Sequence, residues 1–269
     1  MVPNHLRLSD RQWREVEYHK VHAARHAELA QTPVDLTIVT SSKRRWWNAT
    51  WAAFDIVRNL NLTGKHVLIP GCGFGDDVAR LAKLGAKVSA FDISPQEIEI
   101  AKARATRFGY AGAFAVMAAE ALDYPDSSFD LIWCRNILHH VDIPTTLREF
   151  QRVLKPGGYF IGQEMYTHGA LERFRRGHLA NRILYPRMVA FIYGGSDPYI
   201  TKDERKIDHH ELKLLTDLGC QLSYYDFVIG RVLPPRFVTA AKIDRIVMAL
   251  LGPLGKFLAG RVVFHGLVD

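Results

Sequence analysis

The chain has 269 residues, 48% of them hydrophobic and 23% charged, enough to bury a full core and ordinary for a globular protein. Thirty-five Lys and Arg against 28 Asp and Glu leave a formal charge of +7, which admits anionic partners without requiring one. Cys72, Cys134 and Cys220 stand far apart with no C-x-x-C pair, so neither a disulfide framework nor a zinc site is indicated, and a reducing, cytoplasmic setting is expected. The opening segment MVPNHLRLSDRQWREVEYHK is too polar for a signal peptide, and no apolar run reaches the roughly 18 residues of a membrane span.

In chain order, residues 10–30 are rich in charge and histidine, with Ser9 and Asp10 as caps of a first helix. WWNATWAAFDIVRNL (46–60) predicts a second, amphipathic helix. The period then changes. HVLIP (66–70) reads as a buried strand, DDVARLAKLG (76–85) as a helix ending at Gly85, and KVSAFDIS (87–94) as the next strand. A helix follows over 95–109, with Pro95 at its first position and Gly109 beyond its end. Strands are predicted at 113–120, 129–136 and 157–165, with a helix at 145–154 between the last two. An aromatic, basic segment of helical period interrupts the alternation at 166–207. After it come a helix at 208–219, a strand at 220–229, an apolar helical segment at 241–260 broken near Gly252-Pro253, and a closing strand at 261–268.

Strands alternating with helices imply right-handed crossovers and a parallel sheet covered on both faces. The expected fold is therefore α/β, a doubly wound, mostly parallel sheet of seven strands. Residues 1–60 would form an N-terminal helical extension or lid, 61–269 the main domain, and 166–207 a helical insertion on the substrate side.

Ligands of such sheets lie at the carboxyl ends of the strands. The first of these ends carries Gly71-Cys72-Gly73-Phe74-Gly75, followed at once by Asp76 and Asp77. A dinucleotide fingerprint would need a glycine at position 76, and no G-K-[ST] follows for a phosphate loop. Two carboxylates suit a helix N-terminus, yet they would repel a pyrophosphate held by the same dipole. They either cap the helix or mark a cationic ligand, and S-adenosylmethionine, a sulfonium with an ammonium and no phosphate, fits the second case. The next strand ends at Asp92, where a carboxylate can accept from both hydroxyls of a ribose.

These segments resemble the class I S-adenosylmethionine-dependent methyltransferases. VLIPGCGFGDDVARLAKLGAKVSAFDIS is similar to their glycine motif and following acidic strand. AEALDYPDSSFDLIWCRNILHHV (119–141) is similar to the segment through strand four, and LREFQRVLKPGGYFIGQE (147–164) to the turn and fifth strand. The resemblance covers 64–165 and implies cofactor contacts from Gly71, Cys72, Gly73, Gly75, Asp92 and Ile93, and from Asn136 and Ile137 at the end of strand four. Two positions depart from the family. Ile69, followed by Pro70, stands where an acid is usual in the first strand, and Ala118 stands where an acid reads the adenine amine. The spelling PGCGFGDD is nearer the thiol and halide methyltransferases, so Asp77 is expected to replace part of the missing acid beside the cofactor's amino group. Backbone groups around Ala119, Glu120 and Ala121 would read the adenine.

Methyl transfer is an in-line displacement, so holding donor and acceptor in line supplies much of the acceleration, and a base is needed only for a protonated acceptor. His139 is either that base or a structural member of the LHH segment. Glu164, Tyr166 and His168, at the end of strand five, are candidates on the same rim. Asp208-His209-His210 reads as a helix start rather than a metal cluster, and no metal site is named. Trp46, Trp47, Trp51, Phe174, Tyr185, Phe191 and Tyr193 either line an acceptor pocket or fill the core. The basic clusters Lys43-Arg44-Arg45 and Arg173-Arg175-Arg176 either hold an anionic group or are solvated faces. The expected activity is methyl transfer to an O or N atom of a small aromatic or amphiphilic molecule. A lipid or quinone acceptor is the alternative, and a non-catalytic cofactor- or partner-binding protein of the same fold another. Only net charge speaks for nucleic acid. Segment 243–258 is apolar enough to touch a membrane surface but has few cations on one face.

Overall fold

The structure is a computed structural model, and it describes residues 8–43, 47–169, 206–228 and 237–268, with 178, 182, 187 and 233 besides. Among the described residues the chain runs α1 (Asp10–Arg25), a 3-10 turn (Ala27–Gln31), α2 (Thr37–Thr40), α3 (Ala49–Arg58), β1 (His66–Pro70), α4 (Asp76–Lys83), β2 (Lys87–Asp92), α5 (Pro95–Phe108), β3 (Ala113–Val116) and β4 (Phe129–Arg135). It continues through α6 (Ile143–Val153), β5 (Leu154–Met165), α7 (Glu211–Asp217), β6 (Gln221–Tyr225), α8 (Val238–Leu251), a 3-10 segment (Gly252–Phe257) and β7 (Arg261–Val268). The strands form one seven-stranded sheet in the order β3-β2-β1-β4-β5-β7-β6. Strand β7 lies antiparallel between β5 and β6, and the other pairs are parallel. The doubly wound, mostly parallel fold expected from the alternating pattern is the one observed.

Local chemistry sets the element ends. Ser9 and Gln12 form a reciprocal capping box on α1, and Asn48 Oδ1 accepts from Trp51 N at the start of α3. Helix α6 starts two residues before its predicted position because Asp142 caps it and Pro144 fits its first turn. Strand β3 stops four residues early, since Met117 N turns back to Asp92 O and Ala118 bridges Ala121. Strand β5 begins three residues early. Its Lys-Pro-Gly-Gly segment bulges between the pairs Phe129–Leu154 and Leu131–Tyr159.

The period of two along each strand sorts the core into two layers. Leu68, Ile132, Cys134 and Phe160 face Leu138, Leu147 and Phe150 on one side. Val67, Ile69, Leu131, Trp133 and Ile161 face Phe54, Val57, Leu81 and Ile98 on the other. Helix α3 thus supplies part of the second layer, and Trp51 is buried there rather than lining a pocket. Trp46, Phe174, Tyr185, Phe191, Tyr193, Arg44, Arg45, Arg173, Arg175, Arg176 and most of the 166–207 insertion lie outside the described residues.

Candidate active site at the carboxyl edge of the sheet

The carboxyl ends of β1, β2, β4 and β5 meet at one rim. After Pro70 the chain turns through Gly71 (φ +61°), Gly73 (φ +48°) and Gly75 (φ +81°), with Gly75 capping α4. A Cβ on Gly71 would come within 2.9 Å of Ile137 Cδ1, so glycine here reconciles the left-handed turn with the packing of the β4 end. Cys72 is buried, and burial together with Asp92 pushes its thiol well above the usual range, so it packs rather than reacts.

Asp92 is buried at the end of β2. Its Oδ2 accepts from Gly73 N at 3.0 Å and its Oδ1 from Ser94 N at 2.9 Å, which ties the second strand to the glycine turn. Burial and then the nearby Glu97 raise its carboxyl above the ordinary value. Each oxygen keeps a lone pair for a further donor, as binding of a ribose requires. Crowded carboxylates at this point suit a neutral sugar and a cationic donor and oppose a phosphate, so the residues fit S-adenosylmethionine.

Asp77 is placed differently from the expectation. Its oxygens take Arg80 Nη1 at 2.8 Å, Trp133 Nε1 at 2.8 Å and Arg135 Nε at 2.7 Å. Burial works to raise its carboxyl, but Arg135 and Arg80, helped by Trp133, carry it down to about 2. Asp76 pairs with Arg104 at 3.3 Å. Both charges at the turn are therefore already met by guanidiniums, and Asp77 locks β4 to α4. Asp92, by contrast, takes no side-chain donor among the described residues.

Helix α1 roofs the turn, an arrangement the sequence did not disclose. His19 Nδ1 and His22 Nδ1 reach the same Glu97 oxygen at 2.8 and 2.9 Å, and the His22 ring stacks on Phe74 at 5.1 Å. Burial alone would lower His19, but Glu97, Asp92 and Glu15 carry it up to about 9. Burial likewise opposes ionisation of Glu97, yet His19 and His22 outweigh it and hold the carboxyl below its usual value. The ligand atoms of His19, His22 and Glu97 lie within 4.8 Å of one another, a set able to take a metal ion that was not named from the sequence. The only hint was a histidine-rich helix. Its carboxylate partner lies more than seventy residues away in the chain.

Glu120 also serves α1. It accepts from Gln12 Nε2 at 2.9 Å and Arg11 Nη2 at 3.2 Å, as well as from Asp142 N at 3.1 Å. Its neighbour Ala119 is buried, Ala121 N bonds Ala118 O, and Ile93 is half-buried beyond β2. Asn136 adopts φ +56° after β4 and accepts from Arg261 Nη1 at 2.9 Å, so its side chain points to β7.

At the ends of β4 and β5, His139 and Glu164 are both buried and joined. Glu164 Oε2 accepts from His139 N at 2.9 Å and lies 2.8 Å from His139 Nδ1. A carboxylate cannot donate, so Nδ1 carries the proton in this pair and Nε2 is the basic nitrogen. Glu164 Oε1 and the buried Tyr166 hydroxyl have no hydrogen-bond partner among the described residues, and burial raises the Tyr166 phenol. His168 stands apart from the pair in its contacts, packing on His209 at 4.6 Å and Phe257 at 4.5 Å. Asp208 Oδ1 accepts from His210 N and Glu211 N in the turn before α7, whose N-cap is His210 and not Asp208.

The seven-stranded sheet places these residues together at the carboxyl ends of its parallel strands. Residues 68–162 match the model of a methyltransferase domain. The chain is 35% identical over 127 residues to a ubiquinone biosynthesis O-methyltransferase of Xanthomonas oryzae, covering 42% of this chain and 53% of that protein. It is 31% identical over 116 residues to the sterol 4-C-methyltransferase strm-1 of Caenorhabditis elegans, 42% of this chain and 35% of the relative. The chain therefore spans about half the length, or less, of these curated relatives. The geranyl diphosphate C-methyltransferase of Streptomyces coelicolor shares the fold with a TM-score of 0.61, covering 98% of this chain and all of that one at 12% identity. Over residues 68–162 the chain is similar to methyltransferase domains.

Proposed function

We propose that this protein transfers a methyl group from S-adenosylmethionine to a hydroxyl oxygen or an amine of a small amphiphilic molecule, with a quinone precursor or other isoprenoid-bearing phenol as the acceptor class. The cofactor, when bound, supplies a methyl group on a sulfonium that needs no acid to leave. Asp92 would hold its ribose, the Gly71–Gly75 turn its amino-acid end, and backbone around Ala119 and Ala121 its adenine. Helix α1 would close over it as a lid.

The observation that carries this reading is the buried His139–Glu164 pair on the acceptor side of the rim. Glu164 fixes the imidazole, and His139 Nε2 takes the acceptor proton as the oxygen lone pair is spent on the new bond to carbon. Tyr166 helps to exclude water beside the pair. The names of the relatives, a ubiquinone-pathway O-methyltransferase and a sterol methyltransferase, favour a greasy acceptor.

The test is turnover with deuterated-methyl S-adenosylmethionine and a panel of isoprenylated catechols, read by mass spectrometry. Glu164→Gln keeps the shape and removes the charge. It should lower kcat by roughly 10²–10⁴ and alter the low-pH limb of the pH profile, where a general base is lost to protonation, while S-adenosylhomocysteine binding persists. Cofactor binding without turnover on any acceptor would support the non-catalytic alternative, and full activity in Glu164→Gln would remove the base.

A further inference from the structure

Helix α8 is amphipathic in the inverted sense. Its inward positions are Ala241, Asp244 and Met248, and Asp244 takes Phe227 N at 3.1 Å and Val228 N at 2.8 Å. Its outward stripe is Ile243, Ile246, Val247 and Leu250, at helical spacing, and the 3-10 segment extends the stripe with Leu254 and Phe257. These side chains are exposed far beyond what a solvated helix shows, with Leu250 at 83%, Leu254 at 62%, Ile246 at 58% and Ile243 at 57%. Water makes this face costly, so something apolar covers it in use.

Charge identifies the occupant. Residues 227–268 contain six Lys and Arg and one acid, and that acid is Asp244, turned inward and satisfied by backbone. Lys242 is exposed beside the stripe, over the Trp47 ring at 5.4 Å, and Arg245 and Lys256 flank it over Tyr225 and Phe257. Apolar side chains that can sink among acyl chains, bordered by cations at headgroup level, are the pattern of a helix lying in an anionic lipid surface. No helix among the described residues is long and apolar enough to cross a membrane, so the contact is peripheral. The stripe also reaches the acceptor rim. Phe257 packs on His168, just past β5, and Tyr166 N bonds Gly260 O.

We infer that α8 and the following 3-10 segment dock the protein on an anionic lipid bilayer, with the acceptor side of the rim next to the membrane. This goes beyond the proposed methyl transfer and does not depend on it, because lipid binding is measured with neither cofactor nor acceptor present.

The experiment is flotation of the full chain with phosphatidylcholine vesicles and with vesicles that also contain phosphatidylglycerol. The wild type should float with the mixed vesicles, less with the neutral ones, and less again in high salt. The double variant Ile246→Glu with Leu250→Glu should lower the partition coefficient at least about ten-fold, and Lys242→Gln several-fold. Melting temperature and S-adenosylhomocysteine affinity of each variant report that the fold is intact. Absence of wild-type flotation on mixed vesicles overturns the inference, as does equal flotation of the folded glutamate variant. Light scattering that shows a lipid-free dimer, converted to monomer by the glutamates, assigns the face to a second copy of the chain and also overturns it.

Discussion

Asp77→Asn separates a structural from a cofactor role at the glycine turn. In the sequence, Asp77 stood for a charge aimed at the ligand; in the fold it sits between two guanidiniums and an indole N–H. Its carboxyl is carried from 3.8 to about 2, and at 1.36 kcal/mol per unit the ionised form is favoured by about 2–3 kcal/mol. Removing one member of a buried pair costs about 3–5 kcal/mol, because the remaining charge is left without its partner. Asp77→Asn should therefore destabilise the protein by about 2–4 kcal/mol, lowering the melting temperature by about 5–15 °C. Asp76→Asn, whose side chain is 40% exposed, should cost under about 1 kcal/mol. Ligand-free calorimetric melts of both variants measure this, and S-adenosylhomocysteine titrations measure affinity. The folded pKa is depressed, so the contribution is fully present above the unfolded value and disappears as pH falls through about 2. A melting temperature unchanged in Asp77→Asn, together with affinity lowered several-fold, would refute the structural role and restore the ligand-facing one.

Asp92→Ala should weaken S-adenosylhomocysteine binding by about 1.5–3 kcal/mol, the scale of hydrogen bonds to a charged group, and calorimetry giving wild-type affinity in a folded variant would place the ribose elsewhere. The His19 site predicts a pH-dependent roof: against burial, Glu97, Asp92 and Glu15 hold the folded pKa of the imidazole at about 9, above the unfolded 6.5, with His22 and His140 packed beside it. Its contribution is complete below pH 6.5 and is lost as pH climbs through about 9, so hydrogen exchange of α1 amides, corrected for intrinsic rate, should rise across that window. Glu97→Gln should flatten the rise, and identical profiles for the two proteins would dismiss the latch.

Much of the fold is written in short-range patterns. The switch from helical period to apolar runs at residue 66, Pro95 and Gly109 around α5, and the strand-turn-helix spelling at 66–77 each act over a few residues, so they are legible without the rest of the chain. The cofactor class followed from three such motifs in order. Partnerships were not legible, because each joins residues distant in sequence through packing. The 2.8 Å contact of His139 with Glu164 needs β4 and β5 in parallel register, and the shared Glu97 oxygen needs α1 laid across α5. Asp77 shows the limit most clearly. Its type and position fit both a cap and a ligand group, and only the arrival of Arg135 and Trp133 on β4, 58 and 56 residues further on, decided which charges it meets. The face of α8 is similar: its apolar period was visible, but whether that stripe points inward or to solvent depends on Asp244 reaching the backbone after β6, which tertiary structure alone sets.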